Sequence, residues 1–412
     1  MRVLIVGNGG REHAIAKKLS EEDIELHAAM SSRNPGIAKL AKRIEIFDIN
    51  QPENFERFRN VDIAFIGPES PLASGVSDFL SKMGIPVIGP ARELARLEWS
   101  KSFTRSFLNE QNIEGNPEFK ICRNLDDIRD FLSIHGNVAV KPDVLTGGKG
   151  VKLTGEHLKT VYDVESYALE RISMDGLVVL EEKLVGREFT LQAFTDGIRV
   201  EVMPLVRDYK RAFDGDQGPN TGSMGSFSCP DHNLPDLPKA AIDQGASIMR
   251  RTVKALSKNT GLFKGVLYGG FMNTENGVYL LEYNVRFGDP EAINVLALME
   301  TSLLDIGWRI IDERLSRPSF ESKATVCVYL VPPGYPANPE RNMLIRISGF
   351  KNSELYYASV YEKNGGIYTT SSRALAVLAK GETVQEARER VYGDLEKMEP
   401  CLYFRKDIAE GF

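Results

Sequence analysis

The chain has 412 residues, 42% hydrophobic and 26% charged, and a length that implies two to four domains rather than one ordinary core. The composition is that of a soluble globular protein, and no apolar run approaches a membrane span. The net charge of −6 excludes the basic footprint of a nucleic-acid binder, so an anionic ligand must be held locally. Cys122, Cys229, Cys327 and Cys401 lie far apart without a paired motif, which points to a reducing compartment and away from structural zinc. The five histidines show no metal-ligand spacing.

Residues 1 to about 98 alternate apolar runs with helical patterns: "RVLIVG", a helix from about Glu12, then "IELHAA", "VDIAFIG", a helix around "SGVSDFLSKMG", and "IPVIG". This rhythm predicts a parallel doubly wound sheet, with the first run a β-strand and not a signal peptide. The loop "VGNGGREHA" resembles a dinucleotide fingerprint only in part. The third glycine position holds Glu12, and the second strand ends in Met30-Ser31 where a ribose-binding acid belongs. A phosphate held by backbone N–H groups and a tight turn that binds nothing both fit it. "GPESPL" (67–72) ends a later strand of the same sheet, and two such loops suggest one shared pocket.

Residues 99 to about 317 form a second region. A helix at "SKSFTRSFLNEQ" precedes the strand "NVAVKP", the loop "VKPDVLTGGKGV", a helix, and the strand "LVVLEEKL". Glycines in that loop allow close approach of phosphate oxygens and its lysines supply charge, although a flexible hairpin has the same composition. Glu181 and Glu188 offer acceptors suited to a purine amino group and ribose hydroxyls; alone, they read equally as a solvated acidic turn. A long polar loop, "RDYKRAFDGDQGPNTGSMGS", precedes a helix around 238–257 and the strands "GVLYGGFMN" and "VYLLEYNVR". In "LLEYNVRFGDPE" (280–291), strand alternation predicts Glu282, Asn284 and Arg286 on one face and Leu281, Tyr283 and Val285 on the apolar one. Glu282 and Asn284 are oxygen ligands of the kind Mg²⁺ takes alongside phosphate and water, and Arg286 can neutralise a carboxylate or phosphoryl group. Residues 318–412 complete the chain with "ATVCVYLV", "RALAVLAKG" and a helix opened by a capping box from Thr383 to Glu386.

The set Lys101, Lys141, the glycine loop 147–150, Glu181, Glu188 and Glu282-x-Asn284 resembles the ATP-grasp superfamily. Together with "VGNGGREHA", "GPESPL", "GPNTGSMG", "NVRFGDPE" and "FRKDI", it is similar to the glycinamide ribonucleotide synthetase (phosphoribosylamine–glycine ligase) family from Met1 to about Ile408. The resemblance implies an α/β multidomain fold: an N-terminal doubly wound parallel sheet (1–98), a central ATP-grasp fold of two α+β sub-domains (99–317), and a small C-terminal α+β domain (318–412). It also implies a cytoplasmic enzyme, monomer or homodimer, that binds neither nucleic acid nor membrane. Its reaction is ATP, glycine and 5-phosphoribosylamine to glycinamide ribonucleotide, ADP and phosphate through a glycyl phosphate.

By the same resemblance, Lys101 and Lys141 contact the ATP phosphates under the loop Gly147, Gly148, Lys149 and Gly150. Glu181 meets the adenine amino group, Glu188 the ribose, and Glu282 and Asn284 hold Mg²⁺ or Mn²⁺. Arg286 and Lys141 are the catalytic candidates. Arg286 steadies the glycine carboxylate beside Asp208, Lys210, Asn220, Thr221 and Gly222, while Gly9, Gly10, Arg11 and Glu69 hold phosphoribosylamine. The chain departs from the family at Val144 and Ser223, where glycine is usual, and at Arg187, where a second acid is common. Another ATP-grasp ligase or carboxylase, a nicotinamide-dependent oxidoreductase and a non-catalytic nucleotide sensor are the alternatives.

Overall fold

The computed structural model of the chain describes residues 1–145, 150–347, 349–397 and 401–412. The N-terminal apolar runs form five strands, β1 (Arg2–Val6), β2 (Glu25–Met30), β3 (Arg43–Ile46), β4 (Ile63–Ile66) and β5 (Val87–Ile88). All pairings are parallel, in the order β3-β2-β1-β4-β5. Val3, Leu4, Ile5 and Val6 are completely buried, as a strand covered on both faces requires. The chain winds away from β1 in one direction and from β4 in the other, so the loops after these strands share the crevice where the sheet order reverses. Those loops are Gly7–Gly9 and Gly67–Pro68. The helix expected over "SGVSDFLSKMG" is preceded by another: Glu69–Ser74 and Val76–Lys82 meet at Gly75, whose φ of 87° breaks the helical path.

The central region has two antiparallel sheets. β6 (Phe119–Cys122), β7 (Val138–Pro142), β8 (Lys152–Leu153) and β9 (Val178–Glu182) pair in the order β6-β9-β7-β8. Helices Leu125–Ile134 and Val161–Asp175 cover this sheet around Ile128, Phe131, Val140 and Leu180. The chain continues through β10 (Arg187–Asp196), β11 (Val200–Val202), β12 (Arg207–Asp208), the hairpin β13 (Arg211–Phe213) and β14 (Gln217–Asn220), and β15 (Gly225–Ser228). After helix Lys239–Asn259 come β16 (Lys264–Thr274) and β17 (Gly277–Asn284), giving a second sheet ordered β11-β10-β16-β17.

The C-terminal strands are β18 (Ala324–Leu330), β19 (Leu344–Ile345), β20 (Glu354–Tyr357), β21 (Val360–Lys363), β22 (Gly366–Thr369) and β23 (Leu375–Gly381). Their main sheet runs β12-β15-β18-β23-β20, so two strands from the middle of the chain are built into the sheet of its last part. The polar loop carrying Asp208 therefore hangs from the C-terminal sheet, not from the sheet that carries Glu282. Helix Val384–Leu395 starts at the expected Thr383, whose hydroxyl accepts from Glu386 N at 3.1 Å, and buries Val384, Ala387, Val391 and Leu395. Among the described residues no helix is long and apolar enough to cross a membrane.

Glu12 occupies the place of a third fingerprint glycine. It is 3% exposed, accepts the Gly9 N–H at 2.6 Å, and pairs with Arg11 Nε at 2.6 Å. Gly7 and Gly67 leave the space it fills, and a Cβ on Gly67 would collide with its side chain. Gly67→Ala is expected to destabilise the protein by about 1–3 kcal/mol through overpacking. Urea unfolding measures this, and an unchanged midpoint would show the contact to be loose.

Candidate active site

The stretch 280–286 departs from strict alternation at one residue. β17 pairs with β16 as Gly270 with Glu282 and Phe271 with Leu280, leaving Leu281 as an unpaired bulge. The core residue is consequently Leu280, fully buried, and not Leu281 as alternation predicted; Tyr283 and Val285 are buried as expected. The bulge frees the Leu281 carbonyl, which accepts from Arg105 Nη2 and from Lys141 Nζ, each at 2.8 Å. Glu282, Asn284 and Arg286 remain on the partly open side.

Around this strand Arg105, Lys141 and Arg286 are each held by a buried acid. Glu181, 2% exposed, binds the Arg105 fork at 2.7 and 2.9 Å and Lys141 Nζ at 2.8 Å. Burial opposes its ionisation, but Arg105 and Lys141 outweigh that and hold the carboxyl below its ordinary range. Arg286 donates to Glu98 Oε1 at 2.8 Å and Asn284 Oδ1 at 3.1 Å, with Glu69 Oε2 3.5 Å from its Nε. Desolvation works against the guanidinium's charge, but Glu98 and Glu69 prevail and raise its pKa. Its Nε nevertheless makes no hydrogen bond among the described residues and meets Glu69 only at ion-pair distance. Glu98 also accepts Val285 N at 2.8 Å, and its carbonyl accepts from Lys101 Nζ at 2.8 Å. Glu282 feels burial first, yet Lys101, Lys141, Lys210 and Arg286 together keep it ionised below the usual carboxylate range.

Among the described residues no group of three or more His, Cys, Asp or Glu side chains could hold a metal by itself. One carboxylate and one amide oxygen, from Glu282 and Asn284, suit a hard cation that brings phosphate and water ligands with it. Gly147, Gly148 and Lys149 lie outside the described residues, and the Gly150 carbonyl accepts from Tyr167 Oη at 2.6 Å.

The loop 208–223 faces this strand from the C-terminal sheet. Lys210 forms an ion pair with Glu188, and its carbonyl accepts from Thr221 N at 2.7 Å and from Thr221 Oγ1 at 2.9 Å. Asn220 is exposed, and Gly222 packs beside the Arg373 guanidinium. Ser223 has φ 84°, so the family's glycine is replaced at a left-handed position. Its hydroxyl compensates by donating to Gly225 O at 2.9 Å and accepting from Tyr209 N at 3.2 Å. Val144 is not among the positive-φ residues. Arg187 is absorbed by an ion pair with Asp236. In the N-terminal crevice Arg11 donates to Phe287 O at 3.0 Å and lies 3.8 Å from Glu69, while Gly9 caps helix Gly10–Leu19. Arg11, Glu69, Arg286 and Glu98 thus join the N-terminal loops to the end of β17.

Sequence reasoning missed Arg105, Glu98 and Glu291. Arg105 and Glu98 sit in polar helical stretches that look solvated, and only the fold turns them inward. Glu291 had a signal, since it ends the "FGDPE" motif. It is 3% exposed, accepts from Tyr268 Oη at 2.9 Å, and is pushed up to about 7 by burial and by Asp208. Burial also raises Asp208.

Comparison with known proteins bears on this arrangement. Models for phosphoribosylglycinamide synthetase match three successive segments: the N domain at residues 1–98, the ATP-grasp (A) domain at 99–292 and the C domain at 325–411. A phosphoribosylamine–glycine ligase of Methanosarcina barkeri is 44% identical over 417 residues, covering 99% of this chain and 96% of that protein. One from Thermococcus gammatolerans is 42% identical, covering 99% and 94%. The crystal structure of the Thermotoga maritima phosphoribosylamine–glycine ligase superposes with a TM-score of 0.85 at 28% identity, over 99% of this chain and 100% of that one. The biotin carboxylase domain of a Hydrogenobacter thermophilus 2-oxoglutarate carboxylase shares the fold alone, with a TM-score of 0.72 at 15% identity, over 98% and 91% of the two chains. Fold and site therefore define an ATP-using ligase of the ATP-grasp class. Within that class, the chain belongs to the phosphoribosylglycinamide synthetase family.

The raised Glu291 gives a pH test. Between its ordinary value of 4.5 and about 7 the folded state holds a proton that the unfolded chain releases. Its contribution to stability is complete below the lower value and is lost as pH rises through the upper one. Urea midpoints at about pH 5 and about pH 8 should fall further in the wild type than in Glu291→Gln, which cannot titrate. Equal changes in the two proteins would contradict the shift.

Proposed function

We propose that the chain joins glycine to 5-phosphoribosylamine with cleavage of ATP, giving glycinamide ribonucleotide, ADP and phosphate for purine synthesis. The observation that carries this reading is the convergence of Lys101, Lys141, Lys210 and Arg286 on Glu282, at the end of a strand that also presents Asn284. A glycine carboxylate is a poor electrophile. Its oxygen attacks the γ-phosphorus, the bond to the β-bridging oxygen breaks, and ADP leaves. The amine of phosphoribosylamine then attacks the carbonyl carbon of glycyl phosphate, inorganic phosphate departs, and the nitrogen loses a proton. Positioning and charge neutralisation are what the first step demands.

In this reading Lys101 and Lys141 take the polyphosphate, with Gly147, Gly148, Lys149 and Gly150 over it. Both oxygens of Glu181 already hold cations, so its main part is to fix Lys141; a carboxylate has about four lone-pair sites, which leaves one for the adenine amino group. Ribose hydroxyls at Glu188 displace Lys210, freeing that cation for the reacting carboxylate beside Asp208, Asn220, Thr221 and Gly222. Arg286, whose Nε makes no hydrogen bond among the described residues, takes the glycine carboxylate. Gly9, Gly10, Arg11 and Glu69 hold phosphoribosylamine in the adjoining crevice. A divalent cation, Mg²⁺ or Mn²⁺, held by Glu282 and Asn284 would neutralise charge on the β- and γ-phosphates. The setting is a reducing cytoplasm, which four free thiols suit, and the active species a monomer or homodimer.

A phosphate-release assay with ATP, Mg²⁺, glycine and freshly generated phosphoribosylamine, omitting each in turn, tests the reading. Full turnover should need all four, and alanine should be a poor substitute for glycine. Turnover equal with the two amino acids would contradict the substrate. Glu282→Gln should lower kcat by roughly 100- to 1,000-fold, partly relieved by added Mg²⁺, because a preorganised negative oxygen is lost. Wild-type turnover at low Mg²⁺ in that variant would remove the metal assignment.

A further inference from the structure

The motif "FRKDI" near the C-terminus is the one part of the sequence pattern that the reaction does not use. Arg405 is 1% exposed, a rare burial for an arginine. Its fork grips Asp407 through Nε at 2.7 Å and Nη2 at 2.6 Å. Its Nη1 donates to the Arg211 carbonyl at 3.0 Å and to Asp216 Oδ1 at 2.8 Å, and the guanidinium lies 5.0 Å from the Tyr209 ring centroid. Neighbouring atoms reach the same hairpin: Lys406 N donates to Asp214 Oδ1 at 2.7 Å, Asp407 Oδ2 accepts from Gly215 N at 2.8 Å, and Ala409 N donates to Tyr209 Oη at 3.0 Å. The segment is anchored in turn to helix Val384–Leu395. Tyr392 Oη donates to Arg405 O at 2.7 Å, and Arg388 donates to Lys406 O at 2.7 Å and Ile408 O at 3.1 Å.

We propose that residues 404–409 are a clamp, with Arg405 as its positioning residue, that holds the loop 208–223 over the reacting glycine. The clamp rests on the ligase reading above. Tyr209 and Arg211, which it grips, flank Lys210, and Thr221 closes the other side of the hairpin onto the Lys210 carbonyl. Burial and close pairing hold the grip together, and the hydrogen bonds from Arg405 and Gly215 N keep Asp407 ionised against the burial that would raise it. A hairpin fixed at both ends keeps water from glycyl phosphate until the amine arrives. With the grip cut, water attacks the carbonyl carbon of glycyl phosphate, phosphate leaves, and glycine is regenerated, so ATP is consumed without product.

Two variants test this. Arg405→Lys removes the fork but also disturbs a buried pair. Asp214→Ala/Asp216→Ala removes the two hairpin carboxylates that hold Arg405 and Lys406 N, leaves Arg405 with Asp407, and loosens the grip from the hairpin side; Asp216 is an exposed side chain. The double variant should keep the wild-type thermal midpoint and ATP affinity. Its kcat/KM for glycine should fall on the order of 100-fold, as for a misplaced substrate contact, with KM for glycine rising and KM for ATP unmoved. The ratio of ADP formed to glycinamide ribonucleotide formed should rise from one to well above one. A folded double variant with wild-type glycine KM and a ratio of one would overturn the clamp while leaving the ligase reading intact. A wild-type protein that forms no product would overturn that reading and the clamp with it.

Discussion

The arrangement depends on one constraint: a cluster of desolvated cations must be neutralised by the fold itself. Cations desolvated in a protein interior carry a penalty that only close pairing offsets. The structure meets it by giving Arg105, Lys141, Arg286 and Lys210 acid partners. Glu181 holds Arg105 and Lys141, Glu98 and Glu69 hold Arg286, and Glu188 holds Lys210. The partners come from different regions, so the same pairs tie the N-terminal crevice to the end of β17, the small central sheet to the helix carrying Arg105, and the polar loop to β10. Removing one partner of such a pair leaves a buried charge alone, which costs more than the pair contributes.

That constraint explains which parts of the site could be read in the sequence. Glu282-x-Asn284-x-Arg286 was legible because strand alternation is local. The bulge at Leu281 was not, because it belongs to the pairing with Gly270 and Phe271, 10 or more residues away in the chain. The parallel N-terminal sheet followed from the rhythm of apolar runs, and the capped last helix from Thr383 and its apolar stripe. Arg105 and Glu98 were invisible for the opposite reason: each lies in a polar helical segment, and its partner, Glu181 or Arg286, is far along the chain. The attachment of β12 and β15 to the C-terminal sheet was also beyond reach, since two- and four-residue strands in a polar loop have no periodic signature.

The division of labour follows from that topology. The strand that carries Glu282 and Asn284 sits in a sheet that this chain shares in fold with a biotin carboxylase domain at 15% identity. The loop 208–223 hangs from a different sheet and is tied down by the end of the chain. In the proposed reading, nucleotide chemistry and substrate choice are carried by separate scaffolds, whose contacts include Glu188–Lys210 and the surroundings of Asp208, Tyr268 and Glu291. Under that reading, the loop can change while the contacts proposed for phosphate stay fixed.

The central claim is that this face phosphorylates the carboxylate of glycine. Turnover of glycine carrying ¹⁸O in both carboxylate oxygens, with mass analysis of the released phosphate, tests it directly. Transfer through glycyl phosphate places one ¹⁸O in each phosphate formed by the complete reaction, because the attacking carboxylate oxygen leaves with phosphorus. Phosphate without ¹⁸O would contradict the account, since the γ-phosphoryl group would then have gone to water or to the other substrate.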